Sequence, residues 1–398
     1  LENVFIAGVG MTDFGVQLQR SMRSLAEEAV QSALSDAGAE PDMIDYAFYG
    51  NVGAGTITGQ ASIRGQAALR HTGLLGTPIV NVENACATGS TAFGMATAAI
   101  LSGVADVAIA VGVEKMSHED KARTFKVFEG GYDQDEPPQL VQQLAANADG
   151  KSRSLFMDLY ADLARAYMER SGATEDDFAQ IVVKSHSNGA LNPRAQFDNP
   201  VTAEQVLDSR TIVEPLKLMM CSPISDGAAA IVVANARGLR RLPDAEPVKV
   251  VAASLVSGRD RAAAEPGAPE RAAAAAYREA CVAPAEVDVV ELHDAAAPAE
   301  LMISEELGLC EPGDGPKLLA SGATALDGFV PINPSGGLLS RGHPVGATGL
   351  AQLVELADQL RGRCGKRQVA DADIALAENG GGVLDNDVAV ATVTILRR

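Results

Sequence analysis

The feature that most constrains this chain is that it repeats itself. ALSDAGAEPDMIDYAFYGN, residues 33–51, aligns without a gap on AYREACVAPAEVDVVELHD, residues 276–294, so that Ala37 falls on Ala280, Pro41 on Pro284 and Asp45 on Asp288. Each copy reads as a helix end, a proline-marked turn and a short strand. A second pair follows in the same order: VADVAIAVG at 104–112 matches VADADIALA at 369–377, and each comes after a long helical pattern ending near Gly103 or Gly362. Buried-strand runs after crossover helices are the pattern of an α/β layer unit. The two ordered matches predict an internal duplication of about 110 to 150 residues per half.

The duplication gives a lone cysteine a counterpart. In NVENACATGSTAFGMAT, residues 81–97, Cys86 stands where an apolar run gives way to small residues and a helix begins. Two readings are open. A free cysteine is commonly a small buried hydrophobe; a thiol at a helix N-terminus feels the positive end of the dipole, which lowers its pKa and favours the nucleophilic thiolate. Aligning the helices on Gly103 and Gly362 puts RGHPVGATG, residues 341–349, at the equivalent helix entrance. A pseudo-twofold packing of the halves would bring Cys86 and His343 together, and a histidine beside a cysteine can take its proton.

Composition narrows the partners. With 32 basic and 52 acidic residues the net charge is −20, which argues against general binding of nucleic acid or an anionic membrane. Five cysteines, at 86, 221, 281, 310 and 364, are odd in number and lack paired CxxC spacing; no metal site is expected, and a reducing cytoplasm is the natural compartment. The longest apolar region, 90–113, is broken by Gly94, Gly103 and Asp106, and no charged-then-apolar leader opens the sequence, so a soluble protein is expected. VFIAGVGMTDFG offers Gly-x-Gly after a strand, but Asp13 stands where a dinucleotide fingerprint needs its third glycine.

Residues 116–220 have a different texture. A polar stretch, EGGYDQDEPPQLVQQLAANADGKSRS, precedes helical patterns in SLFMDLYADLARAYMERSG and TEDDFAQIVVKSHSNGA, and the segment carries Lys121, Arg123, Lys126, Lys151, Arg153, Lys184 and Arg194. These could form a phosphate-binding patch or simply solvated charges. SPISDGAAAIVVAN, 222–235, then returns to a buried strand.

Taken in order, GVGMTDFG, ENACATGS, SPISDGAAA, ELHDAAAPAE, NPSGGLLSRGHPVGATG and ALAENGGG resemble the thiolase superfamily, specifically its lipid-transfer or sterol-carrier branch, over essentially the whole chain. The resemblance implies an α/β thiolase fold: duplicated βαβαβαββ halves in five layers, α-β-α-β-α, with an inserted loop domain. The implied division is 1–115 plus 221–240 for the N-terminal half, 116–220 for the loop domain and 241–398 for the C-terminal half. A homodimer or dimer of dimers is expected. By the same resemblance Cys86 is the acylated nucleophile and His343 its activator. His293 joins His343 at the thioester oxyanion, with Asp294 orienting it. The N–H groups of Cys86 and Gly380 form a second oxyanion hole, and Ser222 touches the pantetheine arm of coenzyme A, which is a substrate rather than a bound cofactor.

The chain departs from the family in one respect. The second cysteine that such enzymes use for proton transfer is absent from both its usual places, where Glu378 and Ala295 stand. Either Glu378 carries the proton, or a water does, or the reaction does not need that base; the leading expectation is a 3-oxoacyl-CoA thiolase. A decarboxylating condensing enzyme built on Cys86, His293 and His343 is the alternative, followed by a non-catalytic acyl-CoA or lipid-binding protein. An aldolase is disfavoured because none of the tyrosines, at 46, 49, 132, 160, 167 and 277, falls within the four main catalytic motifs. Kinship also raises a small zinc-ribbon and OB-fold partner subunit.

Overall fold

The computed structural model describes residues 3–139, 141–142, 154–262 and 264–398. The first half contributes β1 (Val4–Met11), β2 (Tyr46–Gly50), β3 (Ile79–Val82), β4 (Val107–Lys115) and β7 (Asp226–Ala234); the second contributes β8 (Val248–Ser257), β9 (Val289–Glu291), β10 (Ile374–Leu384) and β11 (Asp387–Arg397). They join in one mixed sheet, ordered β3-β2-β4-β7-β1-β8-β11-β10-β9. The halves meet where Val4–Ile6 of β1 pairs antiparallel with Val248–Val250 of β8. A separate hairpin pairs β5 (Thr211–Val213) with β6 (Leu216–Lys217).

The repeated residues do the same work in both halves. Pro41 and Pro284 each open a single 3-10 turn, as a residue with fixed φ and no N–H does well at a helix start. Asp45 then accepts hydrogen bonds from the N–H groups of Asp106 and Val107, both at 2.9 Å. Asp288 accepts from Asp373 and Ile374 at 2.9 and 2.8 Å. Each aspartate thus ties the start of its strand to the strand that follows the crossover helix.

Seven helices matter for the site: α1 (Met22–Ala37), α2 (Thr88–Leu101), α3 (Leu155–Ser171), α4 (Glu175–Gly189), α5 (Ala268–Ala280), α6 (Ala297–Glu306) and α7 (Thr348–Leu360). Three apolar cores define five layers. Leu25 and Val30 of α1 pack on Val232 of β7. Phe93 of α2 and Leu353 of α7 share a central core with Ile231 and Val233. Ala272 of α5 and Ile303 of α6 pack on Val393 of β11. Alternate residues of β7 therefore face different cores, and a strand buried on both faces reads as the continuous apolar run seen in the sequence.

The central helices cross at small residues. A β-carbon on Gly349 would lie 2.6 Å from the Ser90 nitrogen, and one on Gly89 would lie 2.9 Å from the Gly346 carbonyl oxygen. Any side chain there would push the two helix entrances apart. Close crossing is what carries the segments before α2 and α7 to one place.

The inserted segment builds its own core from Tyr167 of α3, Phe178 and Ile181 of α4 and Leu216 of β6, which also takes in Ala297 and Leu301 of α6. Ser154 caps α3, and Thr174 with Asp177 forms a capping box on α4. Lys184, one of the expected phosphate-binding cations, instead points inward and pairs with Glu300. Burial in this helix contact leaves it unable to meet a ligand. Lys151 and Arg153 lie outside the described residues. Among those residues no helix is long and apolar enough to cross a membrane.

Candidate active site

Cys86 stands on a tight elbow between β3 and α2. Ala85 adopts φ 47°, a left-handed backbone that costs a residue with a side chain of order 1 kcal/mol or more. The strain is held by local bonds: the Asn84 N–H donates to Thr88 Oγ1 at 2.8 Å, its side-chain Nδ2 to Thr91 Oγ1 at 3.0 Å, and the Ala85 N–H to Glu83 Oε1 at 2.7 Å. Gly381 of β10 backs the elbow, and a β-carbon there would lie 2.4 Å from the Asn84 carbonyl oxygen. Part of the glycine run after Glu378 is therefore a packing requirement of the Cys86 turn.

His343 follows Gly342 in the loop before α7. Its N–H donates to Ser225 Oγ at 2.9 Å and its Nδ1 lies 2.7 Å from Thr348 Oγ1. Thr348 Oγ1 in turn donates to the Pro344 carbonyl oxygen at 3.1 Å. With its own proton so used, the threonine oxygen accepts from Nδ1–H, which leaves Nε2 as the unprotonated acceptor. His293 follows β9. Its backbone N–H donates to Glu378 Oε2 at 3.0 Å, its ring meets the His343 ring edge-on at 5.2 Å between centroids, and its Nε2 is buried without a hydrogen-bond partner. Cys86, His293 and His343 present Sγ and ring nitrogens all within 4.8 Å of one another. Among the described residues these same atoms are the group that could contact a metal ion.

Glu378 and Gly380, on β10, complete the cluster. A methyl group built on Gly380 would lie 3.6 Å from Glu378 Oε1 and 4.0 Å from His293 Nδ1, so the carboxyl, the imidazole and the glycine backbone are neighbours. Asp294 is not the orienting partner of the His293 ring: its Oδ1 accepts from the Leu338 N–H at 2.7 Å and its Oδ2 has no partner. It secures the turn before His343, while Glu378 holds the His293 backbone.

The electrostatics differ from the helix-dipole expectation. Burial, reinforced by the charges of Glu114 and Glu83, pushes the Cys86 thiol up to about 12. Burial lowers His293 to about 4, and burial with the nearby His293 and Arg341 holds His343 well below the usual imidazole range. Burial raises Glu378 to about 8, against the lowering effect of the His293 N–H bond. At neutral pH the resting cluster is a thiol, two neutral imidazoles and a mostly protonated carboxyl group. A neutral imidazole beside a thiol can accept its proton as attack proceeds.

All of these residues open on one cavity of about 1390 Å³, which also exposes Ser222. Four further lining residues carried no sequence signal: Tyr160, Arg210, Glu306 and Cys221. Tyr160 lies in α3, outside every motif, and only the packing of α3 against α6 brings it here. Cys221 stands beside Ala296 in a short bridge, near the vacant place of the second cysteine, but its Sγ donates to the Lys217 carbonyl oxygen at 3.5 Å. Among the described residues, the loop-segment cations singled out in the sequence do not line the cavity, whereas Arg210 does.

A cysteine and two histidines are brought together by the duplicated halves of a layered α/β fold, and that fold is the one of acyl-transfer enzymes of the thiolase type. The chain belongs to the thiolase family: residues 4–237 match the thiolase N-terminal domain and residues 249–397 the thiolase C-terminal domain-like family. It is 38% identical to the acetyl-CoA acetyltransferase of Methanothermobacter thermautotrophicus, over 96% of this chain and 97% of that one. It is 36% identical to human sterol carrier protein 2 over 96% of this chain and 70% of that one. Among solved structures, the Ltp2-ChsH2(DUF35) aldolase superposes with a TM-score of 0.80 at 27% identity, covering 98% of this chain and 97% of that one.

Proposed function

We propose that this enzyme is a 3-oxoacyl-CoA thiolase in which Glu378 replaces the second cysteine. The reading rests on one observation above all: Cys86, His293 and His343 converge within 4.8 Å beside a carboxyl group held near 8. In the cleavage direction His343 Nε2 takes the Cys86 proton as sulfur attacks the 3-keto carbon. The oxyanion is received by the N–H groups of Cys86 and Gly380. The bond between carbons 2 and 3 then breaks, leaving the acyl group on Cys86 and a carbanion on the departing thioester. That carbanion is stabilised as an enolate by His293 Nε2–H and protonated by the Glu378 carboxyl. The resulting carboxylate takes the proton of incoming coenzyme A, whose thiolate attacks the acyl-enzyme; Cys86 leaves and recovers its proton from His343. Every proton removed is returned, so the cycle closes without a further reactant.

Coenzyme A is the proposed substrate; Ser222 and Arg210 both line the cavity, the first suited to the pantetheine arm and the second to the phosphates. The proposed assembly is a homodimer. It is supported by the open edge of β3, where Val80 is 38% exposed, and by Met95 and Leu101 of α2, each 45% exposed; an apolar edge strand invites pairing with a second copy. A small partner subunit is suggested by the aldolase neighbour, whose name joins it to a DUF35 protein.

The test is intact-mass spectrometry after incubation with a 3-oxoacyl-CoA. One acyl mass is expected, located on Cys86 and lost in Cys86→Ala. Label on Cys221, Cys281, Cys310 or Cys364 instead would overturn the assignment. Efficient turnover of malonyl thioesters, with little cleavage of 3-oxoacyl-CoA, would favour the decarboxylating alternative.

A further inference from the structure

The cavity wall is apolar along Phe156, Leu159, Met302 and Ile303, and among the polar side chains beside it are Tyr160 and Glu306. Glu306 ends α6 and Tyr160 lies on α3; both line the cavity. Among the described residues no hydrogen bond or ion pair engages the Glu306 carboxyl or the Tyr160 hydroxyl. Both side chains are half-buried and open on the cavity, where a ligand can reach them. Ligand pockets place a few such groups where they orient the ligand.

Their position follows from the strands. Glu378 and Leu384 are six residues apart on β10, roughly 20 Å at the rise of a strand, and Leu384 pairs with Asp387. Glu306 is close enough to Asp387 and Arg261 to feel their charges, and its own charge acts on Glu378. It therefore lies between the reacting end of β10 and the hairpin tip. Tyr160 lines the same cavity as Cys86, Glu378 and Glu306 and is near enough to feel the charge of each. An acyl chain running from Cys86 along this wall must pass the two polar groups in turn.

Resting on the thiolase reading above, we infer that Tyr160 and Glu306 form a specificity site for 3-oxoacyl groups that carry a hydroxyl some way along the chain. One hydroxyl can donate to the carboxylate of Glu306 and accept from the phenol of Tyr160, satisfying both. A hydrocarbon chain would leave both unpaired. A carboxylate terminus would face Glu306, Glu378 and Asp387 and be repelled, whereas a neutral hydroxyl is not. Neither residue takes part in bond making at Cys86 under this assignment.

The experiment compares thiolysis of 3-oxodecanoyl-CoA with that of its 8-, 9- and 10-hydroxy analogues. In the wild-type enzyme at least one hydroxy analogue is expected to have kcat/KM about tenfold or more above the plain chain. Glu306→Leu should abolish that preference and Tyr160→Phe should reduce it. If the leucine variant does not fold, the wild-type ratio and the phenylalanine variant still decide. Equal or better turnover of the plain chain against all three analogues overturns the specificity site. Intact mass separates the two levels: acylation of Cys86 without any hydroxyl preference overturns this inference alone, whereas no acylation of Cys86 by any of the four overturns the thiolase reading with it.

Discussion

Glu378→Gln isolates proton transfer from architecture. The carboxyl group has two duties: Oε2 accepts the His293 N–H at 3.0 Å, and the ionisable group lies beside Gly380 and the His293 ring. Glutamine keeps an oxygen for the first duty and cannot perform the second. At its value near 8 the carboxyl is about nine-tenths protonated at pH 7, ready to protonate a carbanion and able to return as a base. Removing a general acid or base costs about 10²- to 10⁴-fold, or roughly 3 to 5 kcal/mol of barrier. Cleavage of a 3-oxoacyl-CoA by the variant should therefore fall by about 10²-fold or more. Acylation of Cys86 by acetyl-CoA should stay measurable, because a thiol of pKa near 8.5 leaves as its anion far more readily than a carbon. Single-turnover kinetics with mass detection measures both steps. The wild-type cleavage rate should also decline above about pH 8 as the acid is lost, and the variant's should not show that limb. Wild-type rates in the variant, or equal slowing of both steps, would refute the assignment.

Three further outcomes are expected. His293→Ala should lower turnover by about 10²-fold while acyl-CoA affinity changes little, since a donor to a developing oxyanion acts mainly in the transition state; weakened binding with intact kcat would make His293 a ligand contact instead. Thr348→Val removes the acceptor that fixes Nδ1–H of His343, and acylation measured by stopped flow should slow by about tenfold; an unchanged rate would remove the threonine from tautomer control. For stability, the Glu378 pKa is raised in the folded state from 4.5 to about 8, so above pH 4.5 the folded state binds the extra proton. Its contribution is therefore present at low pH and is lost as pH rises through 4.5 to 8, by on the order of 5 kcal/mol. Urea midpoints across that window should fall less steeply in Glu378→Gln than in the wild type, and parallel slopes would contradict the buried carboxyl.

The fold was legible because its markers act locally. Ala37 and Ala280 end helices whose next residues, Gly38 and Cys281, both adopt left-handed backbone. Pro41 and Pro284 open equivalent turns, and Asp45 and Asp288 make equivalent bonds across 61 and 85 residues. A register set by such short-range chemistry survives as a pattern in the string. The meeting of Cys86 and His343 was legible from that duplication too, because the helices behind them cross at glycines. Tyr160, Arg210 and Glu306 were not, since their facing depends on how the inserted segment packs over the second half. Nothing in SLFMDLYADLARAYM distinguishes Tyr160, which faces the cavity, from Tyr167, which bonds Glu305. Lys184 failed as a phosphate contact for the same reason: only packing reveals Glu300 opposite it.

The thiol shows how two sound local arguments are ranked by magnitude. A helix N-terminus stabilises a nearby anion by about 0.3 to 1 kcal/mol in exposed settings and up to about 2 when partly buried. Moving a thiol from 9.0 to about 12 corresponds to about 4 kcal/mol against the thiolate, and burial is its largest cause. Desolvation outweighs the dipole here, with the Glu114 carboxylate adding to it. The consequence bears on mechanism. A standing thiolate would be exposed to oxidants and to any passing electrophile, whereas a resting thiol beside a neutral His343 becomes nucleophilic only as a carbonyl oxygen enters the oxyanion donors. On the proposed mechanism, charge then appears on the substrate oxygen and the imidazole together. On this account Glu114→Gln, which removes the second cause without touching the triad, should lower the Cys86 pKa and speed its alkylation by iodoacetamide at pH 8. Glu114 Oε1 accepts from the Gly53 N–H and Asn51 Nδ2 at 2.9 Å, and Oε2 from the Val52 and Gly346 N–H groups at 3.0 and 3.1 Å; a glutamine oxygen keeps only one of these pairs, so thermal stability must be matched before rates are compared. Slower or unchanged alkylation in a variant of native thermal stability would show that the carboxylate does not reach the thiol, and that burial alone sets its reactivity.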